Sequence, residues 1–235
     1  MKCLNCGTEC DASFCPMCGQ PTSTGRTTWR SFSTSSLADM LRFRGRFLNT
    51  CGELLTRPWN VIANYTAGRR VRYSSPLLFL LTLGIYSVLL ESWFAPEKNI
   101  EHNSYVLRLY EFSSGMYTLC LLPPLIPALR IAYRRHGINR FNTPELLTAG
   151  IFLSALSFLI GILFLPLEII AGQSSGISAI VFIAYCAVSI FKAFPIQPMR
   201  KAASHFILFI VLAALFLIIY VSVLELIPHF ILGPA

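Results

Sequence analysis

The chain has 235 residues, of which 54% are hydrophobic and only 13% charged, and its mean hydropathy is +0.61. Soluble domains carry roughly 25% charged residues, so the composition argues against an ordinary soluble domain and for a bilayer as solvent. The net charge is +8, from 19 Lys and Arg against 11 Asp and Glu; such a basic excess suits nucleic acid or anionic lipid, and the placement of the charges decides between them.

Residues 1–20 carry two C-x-x-C knuckles, Cys3-Leu-Asn-Cys6-Gly7 and Cys15-Pro-Met-Cys18-Gly19-Gln20, eight residues apart. Two thiolates flanking a tight turn converge on one ion, and a glycine after each second cysteine lets backbone amides turn toward the sulfurs. Four such thiolates suit a tetrahedral Zn²⁺ site. We therefore expect a zinc-ribbon-like module with Cys3, Cys6, Cys15 and Cys18 as ligands. A set of four cysteines leaves no open coordination position, so the expected zinc is structural, and in so short a module it supplies most of the folding energy. A disulfide framework needs an oxidising compartment, against the cytoplasmic placement argued below. A redox pair would come with a βαβ pattern, which the sequence lacks. Cys10 reads as a bystander in the intervening loop; Cys51, Cys120 and Cys186 lie in apolar contexts and read as packing residues. No secretory signal precedes the cysteines, so the first span is expected to act as the insertion signal.

Residues 21–35, rich in Ser and Thr, read as a flexible linker. Residues 36–75 read as an amphipathic, basic juxtamembrane region. Ser36-Leu-Ala-Asp39 has the form of a capping box, and apolar residues follow at helical spacing: Leu37, Met40, Leu41, Phe47, Leu48, Cys51, Leu54 and Leu55. Pro58 ends or restarts the helix, and Trp59 to Tyr65 is a short second piece. Arg42, Arg44 and Arg46, with Arg69, Arg70 and Arg72, are candidate contacts for the anionic inner leaflet, at roughly 1 kcal/mol per basic residue near the surface. The simpler alternative is that they only enforce topology. Because the arginines hug the membrane boundary and the knuckles themselves carry only Lys2, the pattern argues against nucleic acid.

Residues 76–235 read as a five-span membrane domain. A span needs about 20 mostly apolar residues, and five segments qualify: 76–94, 116–133, 146–170, 177–194 and 204–227. The second contains Pro123, Pro124 and Pro127, a pattern that either breaks the helix for a substrate or merely kinks it. Seventeen of the nineteen basic residues fall on one side of this arrangement and only Lys98 and Arg108 on the other. Basic loops stay cytoplasmic, so the N-terminus is expected inside and the C-terminus outside. Glu91, Glu168 and Glu225 then lie near the outer surface, as an acidic vestibule or as plain interfacial carboxylates. No serine-hydrolase elbow, zinc-protease helix or P-loop occurs, so no enzyme is indicated.

Several strings together resemble a known family: Cys18-Gly19-Gln20 closing the knuckles, Arg46-Phe-Leu-Asn-Thr50, Leu54-Leu-Thr-Arg-Pro58, and Asn64-Tyr-Thr-Ala-Gly68-Arg-Arg-Val-Arg-Tyr73-Ser-Ser-Pro76. Over about residues 1–95 the chain resembles an uncharacterised bacterial family of multi-span membrane proteins with an N-terminal zinc ribbon. The resemblance implies this architecture and a bacterial inner membrane, and brings no activity. The sequence thus leads us to expect an all-α integral membrane protein whose zinc ribbon docks a cytoplasmic protein partner. The alternative is a small-solute or ion permease using the proline-broken second span and the outer glutamates.

Overall fold

The computed structural model describes residues 1–28, 43–94, 126–128, 130–132, 142–171 and 177–193, with scattered positions between 204 and 222. Among them are five principal helices: α1 (Phe43–Thr56), α2 (Pro58–Thr66), α3 (Pro76–Phe94), α4 (Thr143–Ala171) and α5 (Ile177–Ala193). No strand occurs among the described residues; the cysteine module carries only isolated bridges, Lys2 to Glu9 and Phe14 to Pro21.

Each boundary has a local cause. Pro58 separates α1 from α2 and sits in the first turn of α2, where its missing N–H has no partner to lose. The end of α2 is a Schellman motif: the Gly68 N–H donates to Tyr65 O and the Arg69 N–H to Asn64 O, with Gly68 at φ +95°. Such a turn favours glycine, because a left-handed residue with a Cβ is strained. Helix α4 opens on Asn142, whose N–H donates to Glu145 Oε2 at 2.9 Å; this is the reciprocal half of a capping box.

The core lies at one end of the helices. The N-terminal ends of α3 and α4 and the C-terminal end of α5 come together there against α1 and α2, burying Leu54, Val61, Ile62, Tyr65, Phe79, Leu146, Phe152 and Leu156. Aromatic rings run through it as a chain. Phe47 of α1 lies 5.1 Å from Phe79 of α3, Phe79 lies 6.4 Å from Phe152 of α4, and Phe152 meets Tyr65 of α2 edge-on at 5.4 Å. Lys192, in the last turn of α5, sits 3.9 Å over the ring of Trp59, where both the ring face and the helix C-terminus favour a cation.

Away from this end the outward faces are apolar. Leu77, Leu81, Ile85, Leu89 and Trp93 repeat every four residues along α3 and are all exposed, as are Leu163, Leu167 and Ile170 of α4. Residues four apart share one helix face. That face of α3 is therefore an apolar stripe without a partner among the described residues, the reverse of a water-facing helix. The hydroxyl of Thr82 donates to its own helix, at Leu78 O, so it presents no free donor.

Two helices among the described residues are long and apolar enough to cross a membrane: α3, and Thr143–Leu167 within α4. These match the first and third expected spans. Helix α5 occupies the place of the fourth, with 17 described residues. The second and fifth expected spans lie largely outside the described residues. The described residues are mostly helical, without strands, and carry two membrane-length helices.

The segment expected to be a flexible linker starts as a docked one. Gln20 and Thr27 are buried. The guanidinium of Arg26 is forked onto the buried carboxylate of Glu145, Nε to Oε1 and Nη2 to Oε2, both at 2.8 Å. Residues 29–42, which include the expected capping box and Arg42, lie outside the described residues.

Candidate metal centre

Residues 1–22 fold as one hairpin made twice, twelve residues apart. In the first, the Cys3 N–H donates to Thr8 O and the Gly7 N–H to Cys3 O; in the second, the Cys15 N–H donates to Gln20 O and the Gly19 N–H to Cys15 O, all at 2.9 Å. The flanking bonds keep the same register: Cys10 N–H to Met1 O, and Thr22 N–H to Ser13 O. Gly7 and Gly19 sit at φ 78° and 69°, a left-handed region in which other residues are strained.

Two such knuckles facing each other bring the sulfurs of Cys3, Cys6, Cys15 and Cys18 within 4.8 Å of one another. Two pairs that cross between knuckles are Cys3 to Cys18 at 3.6 Å and Cys6 to Cys15 at 3.5 Å. These are far beyond a disulfide bond of about 2.05 Å and close to the ~3.8 Å edge of a tetrahedron with 2.3 Å metal–sulfur bonds. The donor set and its spacing therefore fit a single metal ion.

The thiols differ in acidity for visible reasons. The hydroxyl of Thr8, 3.3 Å from Cys6 Sγ, together with the Thr8 backbone, lowers the Cys6 thiol to about 6. Backbone bonds from Cys6 and Asn5 also lower Cys3. Desolvation pushes Cys18 up to about 12. Cys6 is thus poised to meet a cation as thiolate at neutral pH, whereas Cys18 gives up its proton only to the metal. Cys10 packs against Cys3 and Cys15, but its thiol donates to Met1 O at 3.5 Å, and burial raises it. It stands outside the set of four.

The second knuckle is fastened to the helices through the residue that follows it. Gln20 Nε2 donates to Gly68 O at 3.0 Å, and Gln20 Oε1 accepts from the Arg70 N–H at 3.4 Å. Close packing at Gly68 completes the joint: a Cβ there would stand 3.0 Å from Leu4 Cδ1 and 3.3 Å from Gly25 O. Gly68→Val is accordingly expected to cost about 2 kcal/mol through backbone strain alone, and to lift the module off α2. Thermal unfolding of the full chain in detergent, beside Gly52→Val at an open position without positive φ, checks this.

The arginines singled out in the sequence have diverse surroundings. Arg70 lies 5.2 Å over the ring of Tyr65 and donates to Gly25 O and Thr27 Oγ1, so it serves the docked segment. Arg72 pairs with Glu53 at 3.0 Å while most of its side chain stays exposed. Arg69 is exposed and Arg46 partly buried. Arg44 lies in α1, and Arg42 is outside the described residues. Glu91 and Glu168 fall near the C-terminal ends of α3 and α4, away from the metal centre; their side chains, and Glu225 altogether, are outside the described set.

Sequence reasoning missed three residues that hold this end together. Glu145 carries Arg26. Glu53 accepts from the Tyr73 hydroxyl at 2.7 Å, and Gln20 carries the knuckle. The Glu145 signal was present as Asn142-Thr-Pro-Glu145, an N-cap residue with a glutamate three positions later.

Residues 44–87 match the family described as a protein of unknown function (DUF3667). No curated protein and no solved structure matches the chain significantly. The matched stretch takes in nearly all of α1, all of α2, the Gly68 turn and the first part of α3. It is therefore the platform on which the cysteine module sits, and the module itself lies outside it.

Proposed function

We propose that this is a five-span membrane protein of the bacterial inner membrane. Its N-terminal module holds one structural Zn²⁺ through Cys3, Cys6, Cys15 and Cys18 and serves as a cytoplasmic docking knob for a protein partner. The observation that carries this reading is the convergence of four cysteine sulfurs within 4.8 Å on two facing knuckles. An all-sulfur tetrahedral set suits zinc and leaves no position for a substrate, so the site supports structure and recognition rather than chemistry. The knob presents Phe14 and Met17, 61% and 75% exposed, on the face of the second knuckle. Exposed large apolar side chains on so small a rigid module suit a protein partner.

The membrane placement draws on the apolar outward stripe of α3 and on charge. Arg26, Arg70, Arg72 and Lys192 all lie at the end where α1 and α2 pack, the end expected to face the cytoplasm. Arg46 and Arg69 remain candidates for inner-leaflet headgroups; Arg70 and Arg72 serve mainly within the protein.

The test has three parts. Metal analysis of the full chain in detergent is expected to give about one zinc per chain. Reporter fusions after residues 97, 138, 173, 198 and 235 are expected to alternate between outside and inside, beginning outside. A photo-crosslinker placed at Phe14 or Met17 in cells is expected to give a discrete protein adduct, whereas one at Trp93 gives lipid. Absence of metal, a non-alternating reporter series, or no adduct specific to the knuckle positions would each overturn the corresponding part.

A further inference from the structure

The metal centre and the start of α4 are joined by a short, continuous run of contacts. Cys18 is a candidate ligand, and Gln20 is two residues on. The backbone carbonyl of Gln20 closes the second knuckle by accepting from the Cys15 N–H. Its buried side chain bonds to Gly68 O and to the Arg70 N–H. Five residues further, Gly25 O and Thr27 Oγ1 take the guanidinium of Arg70. Between them Arg26 reaches Glu145, which is nearly fully buried and also caps α4 through the Asn142 N–H. The bonds of the Gln20 side chain, of Arg70 to Gly25 and Thr27, and of Arg26 to Glu145 all cross from the cysteine module and its tail to the helical body.

From this run we infer that the metal-bound ribbon is a latch on the N-terminal end of α4. Occupancy of the four cysteines fixes the second knuckle, the knuckle aims Gln20, and the aimed Gln20 holds residues 25–27 where Arg26 meets Glu145. Loss of the ion releases the run. The carboxylate of Glu145 then loses its cation, and the end of α4, one of the two membrane-length helices, becomes free to move. The latch rests on the metal reading proposed above, and its charge pair is its sensitive point. A carboxylate this buried needs a partner, so withdrawal of the half-exposed Arg26 leaves a buried charge unpaired at the start of α4.

Trypsin reads the latch directly, because it cleaves after Arg26 only when that side chain is withdrawn from Glu145. The full chain in detergent micelles, reduced and loaded with zinc, is digested before and after treatment with a zinc chelator, and cleavage after Arg26 is timed by mass spectrometry. Chelation is expected to raise that rate by about tenfold or more, as local opening replaces protection. Gln20→Ala is expected to raise it in the zinc-loaded protein with zinc stoichiometry unchanged. Glu145→Gln, which keeps the cap and removes the charge, is expected to do the same. If chelation removes the zinc and cleavage after Arg26 does not change, the latch is overturned while the metal site stands. If Gln20→Ala leaves the rate unchanged with zinc bound, the coupling through Gln20 is overturned. If the wild-type chain binds no metal, both the site and the latch fall.

Discussion

Cys15→Ser/Cys18→Ser will lower the zinc content of the purified protein from about one ion per chain to under about a tenth of that, and residues 1–24 will lose their fold. The physical reason is the poverty of the module's own core. Among the described residues, its buried cluster consists of Cys3, Cys10 and Cys15, with Cys18 packed against them. So little apolar surface cannot offset the conformational entropy of ordering some twenty residues. Removing two of four ligands leaves a bidentate site that no longer links the two knuckles. The helical body has its own buried core and should keep its thermal transition. The measurement is metal analysis paired with amide exchange. Retention of zinc by the double variant would show that the ion is held elsewhere. Cys10→Ser is the control and should keep its zinc, because the Cys10 thiol donates to backbone carbonyls.

Acid should release the same ion. Cys6 has its thiol lowered to about 6, so its thiolate is present above that value and is lost as the pH falls through it. Proton competition at the ligands then weakens the site. Zinc retention against a competing chelator, measured between about pH 8 and about pH 5, should fall as the pH is lowered. A flat profile across that range would contradict control of the affinity by proton competition at these thiols.

The sequence carried the four-cysteine cluster because its signal is local: two C-x-x-C-G strings fix the turn chemistry of each knuckle without help from the rest of the chain. The same holds for the break at Pro58 and for the extent of α3, which follow from a ring that cannot donate and from a run that is mostly apolar. Docking was not legible, because its partners are distant. Arg26 and Glu145 are 119 residues apart, and Gln20 and Gly68 are 48 apart. Neither pair leaves a periodic trace. The arginines near residue 70 illustrate the limit. A cluster of basic residues before an apolar run reads as headgroup-facing, yet Arg70 is turned onto Tyr65 by the Schellman turn at Gly68. That turn is visible in the sequence only as a glycine. The apolar stripe of α1 was also imperfect: Leu48 shares the stripe but is 69% exposed, because the platform packs on the face carrying Thr50, Cys51 and Leu54. The twelve-residue repeat was within reach, since Cys3-x-x-Cys6-Gly7 and Cys15-x-x-Cys18-Gly19 align without a gap. Its consequence was not, because position 8 of one copy is Thr and position 20 of the other is Gln, and only the longer side chain reaches the helices.

Phe152→Ala should destabilise the helical body by about 3–5 kcal/mol, the range for deleting a fully buried aromatic ring. The ring links α4 directly to α2 and α3. Phe152 is fully buried; it touches Tyr65 of α2 and Phe79 of α3, and Phe79 in turn carries Phe47 of α1. Removing the ring opens a void where four helices meet, and the neighbours cannot close it. Tyr65 also carries Arg70 over its ring, and Phe79 lies in the first turn of α3, its N–H bonded to Ser75 O. In a bilayer, apolar side chains gain little by leaving lipid, so packing itself is the main source of cohesion between spans; a lost ring at this junction is therefore felt in full. For a chain of this size, 3–5 kcal/mol corresponds to a fall of roughly 10 °C in the unfolding midpoint, measured on the full chain in detergent. Leu163→Ala, on the outward face of α4, should shift it far less. Equal effects at the two positions would mean that the ring chain does not hold α1 and α2 to the ends of α3 and α4. In that case the platform beneath the cysteine module would have to be stabilised chiefly by its polar contacts, Thr50 to Ser74 and Glu53 to Tyr73.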